Sequence, residues 1–183
     1  MSRLTLNRLT RLLRHLWLDA DDAQRALGPT GLARLETQVG ASERQHSAQI
    51  CLCIEASLPL RYLWRNVAHG EAIEAVLRDR ALTTFGKQRV WDTAHNNGVL
   101  IYVSLAEHHI EILADRGLAD RVPARTWQTL VDAASVALRA GQLVEGLEQA
   151  LAGVHSLLLQ HFPASASATN QGHEALPDRP VVR

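Results

Sequence analysis

Cysteine is nearly missing from this chain of 183 residues, which has two, and neither sign of charge is in excess, with Lys+Arg and Asp+Glu both at 19. Without a basic surplus, the usual electrostatic footprint of a nucleic-acid-binding protein is absent, so no nucleic-acid partner is expected. Long apolar runs are lacking too. None approaches the ~20 residues that span a bilayer. No segment joins a basic start to a long apolar core and a small-residue cleavage site, as a secretory signal does. The expected location is cytoplasmic. Catalytic signature loops are also missing. There is no P-loop and no GxGxxG, and Ser47, Ser57 and Ser104 sit in no GxSxG elbow.

Cys51 and Cys53 fall in the run QICLCIEA, which suits a buried strand. We expect two reduced, structural thiols on opposite faces of that strand, with no disulfide, metal pair or redox pair between them. Such thiols suit a reducing compartment and are inert as nucleophiles. The nine histidines give a large charge response between about pH 5 and 7. They assemble no metal site. His108 and His109 are adjacent and cannot both ligate from one strand face, and His95 reads as a solvated loop residue.

What is present is a globular pattern, 46% hydrophobic, of a length that favours one domain. Three regions are expected: a basic helical segment over 1–28, an α/β domain over 29–162 and a disordered tail over 163–183. In the first, Arg3, Arg8, Arg11 and Arg14 have no acid among them, and Leu6, Leu9, Leu12, Leu13, Leu16 and Trp17 recur at helical spacing. Such a helix can pack its leucine stripe on the protein's own sheet, lie on an anionic membrane surface or resemble an organellar presequence. The packing reading comes first, and contact with a membrane or another protein stays open. Asp19, Asp21 and Asp22 then cap a short helix that Gly28-Pro29 ends.

The middle region reads as helix (Thr30 to Arg44), strand (Ala48 to Ala56), helix (Glu71 to Phe85), strand (Val99 to Leu105), strand (Ile110 to Ala114) and two helices, stopped by Pro163. Leu58-Pro59-Leu60 breaks the first strand. Val99, Ile101, Val103 and Leu105 share one strand face, and Leu100 and Tyr102 the other, which marks a central strand. The pattern predicts a three-layer α/β/α sandwich around a small mixed sheet. Its first two strands should be parallel through a right-handed crossover, and its third antiparallel to the second.

That topology has two ends where chemistry can sit. One carries Glu55, Ser57 and Glu107, at the strand C-termini where open α/β sheets often bind ligands. At the other, the hairpin gathers Asp92, Asn96, Asn97, Asp115, Arg116 and Asp120. Carboxylate and amide oxygens suit Ca²⁺ or Mg²⁺. We expect Asp92, Asn96, Asn97 and Asp115 as metal ligands, with Arg116 and Asp120 as ligand-binding groups. Arg116 can grip a phosphate or carboxylate with two parallel hydrogen bonds.

The segments ERQHSAQICLCIEASLP and NNGVLIYVSLAEHHIEILADRGL, with the ending LPDRPVVR, resemble the TPM domain. That family includes thylakoid-lumen phosphatase-like proteins and many bacterial proteins, and the ending is similar to its short, soluble bacterial type. The resemblance spans roughly residues 40–160 and the tail. It implies an α/β/α sandwich with a polar cleft, which in some members binds Ca²⁺ or another divalent ion and in some supports weak acid phosphatase activity. Asn96-Asn97-Gly98 matches the family's Asp-Asn-Gly, and Asp115-Arg116-Gly117-Leu118 matches its Gly-x-Gly-Leu-Glu. Here Asn96 replaces an acid and Ala119 replaces the Glu. Cation affinity rises with ligand charge, so this site should hold a metal more weakly than the family's. With no nucleophile motif, the favoured expectation is a non-catalytic binding or assembly module. A divalent-metal-assisted phosphomonoester hydrolase working at the open end of the 97–114 hairpin is the alternative.

Overall fold

The computed structural model describes residues 3–164, 176 and 178–183, with backbone alone for 3–9. It opens on α1 (Arg3–Trp17) and α2 (Ala20–Glu43). Asp19 starts α2 with a capping box. Its side chain accepts from the Asp22 N–H, and the Asp22 carboxylate accepts from the Asp19 N–H. The backbone leaves helical geometry at Gly28 (φ 64°) and the helix resumes at Pro29. The boundary expected at residue 28 therefore falls inside α2, whose Ala23 and Leu27 are buried in the main core.

The chain continues through β1 (Ile50–Glu55), α3 (Leu60–His69), α4 (Ile73–Lys87), β2 (Val99–Ser104), β3 (His109–Ala114), α5 (Arg116–Ala119), α6 (Ala124–Arg139), α7 (Leu143–His161) and β4 (Val181–Val182). The sheet order is β3-β2-β1-β4. β1 and β2 are parallel, as the helix-containing connection requires, and β2–β3 is the antiparallel hairpin. One sheet face, with Ile50, Leu52, Ile54, Val99, Ile101, Val103, Ile110 and Ile112, packs under α2, α6 and α7. The other, with Leu100, Tyr102 and Leu113, packs under α4. This is the three-layer sandwich that the alternation predicts.

Four features differ from the sequence reading. First, Cys51 and Cys53 face the same side, in one cluster with Leu100 and Tyr102. Side chains alternate along a strand, so residues two apart point the same way. Both thiols are free, and burial pushes each up to about 12. Second, α3 and α5 occupy segments without a predicted helix. Tyr62, Leu63 and Asn66 give α3 its buried face, after Pro59 rather than through it.

Third, the end of the expected disordered tail is ordered. Val181 and Val182 pair in parallel with Cys53 and Ile54, and the Ala56 N–H donates to the Arg183 carbonyl. This closes the β1 edge, which would otherwise expose unpaired backbone groups. The expected disorder over 165–175 and at 177 lies outside the described residues. Fourth, over its described side chains α1 packs on the domain largely by its polar side. Arg11 and His15 turn inward, and Leu13, Leu16 and Trp17 stay in solvent.

Candidate functional site

The end of the sheet at the C-termini of β1 and β2 is closed by α1. Glu107 Oε1 accepts from Arg11 Nε at 2.9 Å and from His15 Nε2 at 3.0 Å. His15 Nδ1 accepts from the Leu58 N–H at 3.1 Å, which fixes the ring with its proton on Nε2. Ser57 donates to the His15 carbonyl, and Arg14 donates to the Ala106 carbonyl. Burial raises the Glu107 carboxyl. The hydrogen bond from His15 and the charges of Arg11 and Arg14 outweigh it, leaving the group below its usual range. Glu55, the remaining acid of this end, is bound by Arg80 and Tyr102 inside the core. Both carboxylates of this end are thus engaged within the protein.

At the opposite end the hairpin draws Asn96, Asn97, Asp115 and Arg116 together. The Asp115 N–H donates to the Gly98 carbonyl at 2.9 Å, and the Gly117 N–H to the Asn96 carbonyl at 2.8 Å. Two glycines allow this closeness. A Cβ on Gly98 would collide with the Val90 carbonyl, and one on Gly117 with the carbonyls of His95 and Asn96. Asn96 itself carries the left-handed backbone (φ 50°) that the entry to β2 needs. Asparagine tolerates that region better than most side chains.

Asn97 is fully buried. Its N–H donates to Thr93 Oγ1 at 3.0 Å and its Nδ2 to Ser47 Oγ at 3.4 Å. Its Oδ1 has no hydrogen-bond partner among the described residues. Asp115 caps α5 by accepting the Arg116 N–H on Oδ1 at 2.7 Å. Its Oδ2 is also shielded and without a partner among the described residues. Buried oxygens are nearly always satisfied in native folds, so two orphans at one hairpin end are a chemical observation. Amide and carboxylate oxygens are the atom types that a hard cation prefers. Each is an oxygen of the type a divalent cation takes, and Asp115 carries the one formal charge of the two.

The other expected site residues stand apart from that pair. Asp92 is paired with Arg89, three residues before it, at the surface. Asp120 follows α5 as its exposed C-cap. Arg116 is exposed and donates from Nη2 to Asn96 Oδ1 at 3.3 Å. Among the described residues there is no group of three or more His, Cys, Asp and Glu placed to hold one metal.

A second polar cluster went unread in the sequence. Ser42 Oγ lies 2.9 Å from His46 Nε2 and 2.8 Å from His155 Nδ1, beside a cavity of about 380 Å³ between α2 and α7. Burial and the neighbouring His155 lower His46 to about 4. The i,i+4 spacing of Ser42 and His46 was the available signal; His155 comes from another helix and gave none.

Residues 20–157 match the family model of the TPM domain. No curated protein matches the chain. Its structure is similar to the NMR structure of the BA42 protein from the psychrophilic bacterium Bizionia argentinensis sp. nov.. The TM-score is 0.68 at 21% sequence identity, over 84% of this chain and 93% of that one. At that identity the likeness is one of fold.

Proposed function

The chain belongs to the TPM-domain family, and from that premise we propose that it is a non-catalytic binding module whose hairpin end holds a divalent cation weakly. The observation that carries this reading is the pair of shielded, unpartnered oxygens, Asn97 Oδ1 and Asp115 Oδ2. Asn97 and Asp115 would hold the ion. Asp92, turned to Arg89, contributes little unless that surface pair opens. The ion would supply positive charge at the hairpin end, favouring Ca²⁺ or Mg²⁺ over softer metals. Two protein oxygens with one charge argue for weak affinity.

The non-catalytic part rests on the nucleophile inventory. Both cysteines are buried, with thiols pushed up to about 12 by burial, so neither forms thiolate near neutrality. Their free state also suits a reducing compartment and supports a cytoplasmic location. Among the described residues no helix is long and apolar enough to cross a membrane.

The test is a Ca²⁺ and Mg²⁺ titration followed by backbone amide shifts. The reading expects saturable changes confined to residues 96–98 and 115–117, lost in Asp115→Asn, which keeps the α5 cap. Absence of any change up to ~10⁻³ M cation, the weak end for calcium modules, would overturn it.

Arg116 favours a second reading, metal-assisted phosphomonoester hydrolysis. Its exposed guanidinium is in no ion pair among the described residues and could bind phosphate oxygens. A bound ion there would supply charge stabilisation to phosphate. Phosphatase turnover with Mg²⁺, Ca²⁺ or Mn²⁺ that disappears in an Asp92→Ala/Asp115→Ala variant would establish this reading. Equal rates for both proteins would end it.

A further inference from the structure

A helix with a leucine stripe and a cationic side normally buries the leucines. Over its described side chains, residues 10–17, α1 does the reverse. Its Arg11 and His15 are engaged by Glu107, Asn66 and the Leu58 N–H. Leu12 alone of its described leucines joins the neighbouring cluster of α3 and α4. Leu13, Leu16 and Trp17 are 48, 59 and 84% exposed. The adjoining helix α3 repeats the arrangement, burying Tyr62, Leu63 and Asn66 and leaving Leu60 and Trp64 66 and 64% exposed. Two packed helices thus each turn an apolar edge to solvent, and each carries a tryptophan. Isolated exposed leucines are ordinary, but two contacting helices that each expose leucine and tryptophan mark a surface that meets something.

We propose that the α1–α3 face docks peripherally on an anionic lipid bilayer. The charge around the patch selects this occupant. α1 carries Arg3, Arg8, Arg11 and Arg14 with no acid, and α3 carries Arg61 and Arg65 with none. Some of these charges are spent inside the protein, Arg11 on Glu107 and Arg65 on Glu71 and Asp79. Arg14 donates to the Ala106 carbonyl and its charge reaches Glu107 without an ion pair, and Arg61 lies 5.0 Å over the Tyr62 ring. Neither is in an ion pair among the described residues, so both keep their charge for lipid headgroups. The acids that follow α1 are partly occupied, since Asp19 and Asp22 form the α2 cap and Asp22 also pairs with Arg25.

Leucine, tryptophan and arginine together are the composition of an interfacial helix, with indole rings at headgroup depth and cations against anionic lipid. A second copy of the chain is a poorer fit. A two-fold contact through this face would set α1 against α1 and oppose its arginines. The patch lies at the opposite end of the sheet from Asn97 and Asp115, so the docking neither needs nor blocks the cation site.

Vesicle co-sedimentation of the full chain tests the proposal. Wild type should bind phosphatidylglycerol vesicles, bind phosphatidylcholine vesicles at least about tenfold more weakly, and lose affinity as salt rises. Trp17→Ser/Trp64→Ser changes only exposed side chains. It should keep the wild-type circular dichroism and melting curve while weakening binding about tenfold or more. Failure of wild type to bind phosphatidylglycerol, undiminished binding by the double variant, or a dimer in light scattering that the double variant abolishes would each overturn it.

Discussion

Arg80 on α4 grips Glu55 at the end of β1 from two directions, Nε to Oε2 at 2.8 Å and Nη2 to Oε1 at 2.5 Å, with both residues 4% exposed. Tyr102 completes the carboxylate by donating its hydroxyl to Oε2 at 2.6 Å. The pair ties the sheet to α4 in the layer that also holds both cysteines. Removing one partner of such a pair leaves an uncompensated buried charge. Arg80→Leu should therefore destabilise by roughly 3–5 kcal/mol in chemical denaturation. Adding Glu55→Leu should recover part of that loss. An equal or larger loss in the double variant would mean that packing, not charge, sets the cost.

The hairpin base tolerates no side chain at residue 98. A Cβ there meets the Val90 carbonyl, and backbone atoms cannot swing aside as a flexible side chain would. Gly98→Ala should cost roughly 3 kcal/mol or more, with amide changes centred on residues 90 and 96–99. A melting temperature within a degree or so of wild type would contradict this close approach.

Glu43 makes stability depend on pH in a defined window. Its Oε1 accepts the Ile50 N–H at 2.6 Å. Burial first, and the nearby Asp178 second, raise its carboxyl from the usual 4.5 to about 8. Between those values the unfolded chain has released a proton that the folded chain keeps. The stability from neutral Glu43 is complete below pH 4.5 and is lost as pH rises through 8. Glu43→Gln keeps an acceptor for Ile50 and should flatten the decline between pH 5 and 8. An unchanged slope in the variant would place the titration elsewhere.

His46 acts on the acid side. Burial and the neighbouring His155 lower it from 6.5 to about 4. Below pH 6.5 the unfolded chain takes up a proton that folded His46 refuses, so its contribution is present above 6.5 and lost as pH falls towards 4. Imidazole NMR shifts of His46 should stay those of a neutral ring from pH 7 to 5. A midpoint near 6.5 would contradict its burial against Ser42.

Period-two and helical spacing made most of this architecture legible. Val99, Ile101 and Val103 face α2, α6 and α7, while Leu100 and Tyr102 face α4, as alternation requires. The misses have physical causes. β4 is two residues long and owes its order to the unpaired edge of β1, a tertiary fact. α3 was obscured because its most conspicuous apolar residues, Leu60 and Trp64, are the exposed ones. α1 reads as a helix, but its docking side depends on Glu107, more than ninety residues away. At the candidate site, the Asn-Asn-Gly entrance and the Asp-Arg-Gly exit of the hairpin meet as the hairpin pattern predicts. The sequence did not say that Asp92 turns to Arg89, or that Asn97 is fully buried with its amide oxygen unmatched.

The cation reading is tested most directly by a crystal of this protein soaked in Ca²⁺. The account predicts a bound ion between Asn97 Oδ1 and Asp115 Oδ2, with both oxygens at about 2.3–2.6 Å from it. A water hydrogen-bonded to both oxygens at ordinary hydrogen-bond distances, unchanged by calcium, would contradict it.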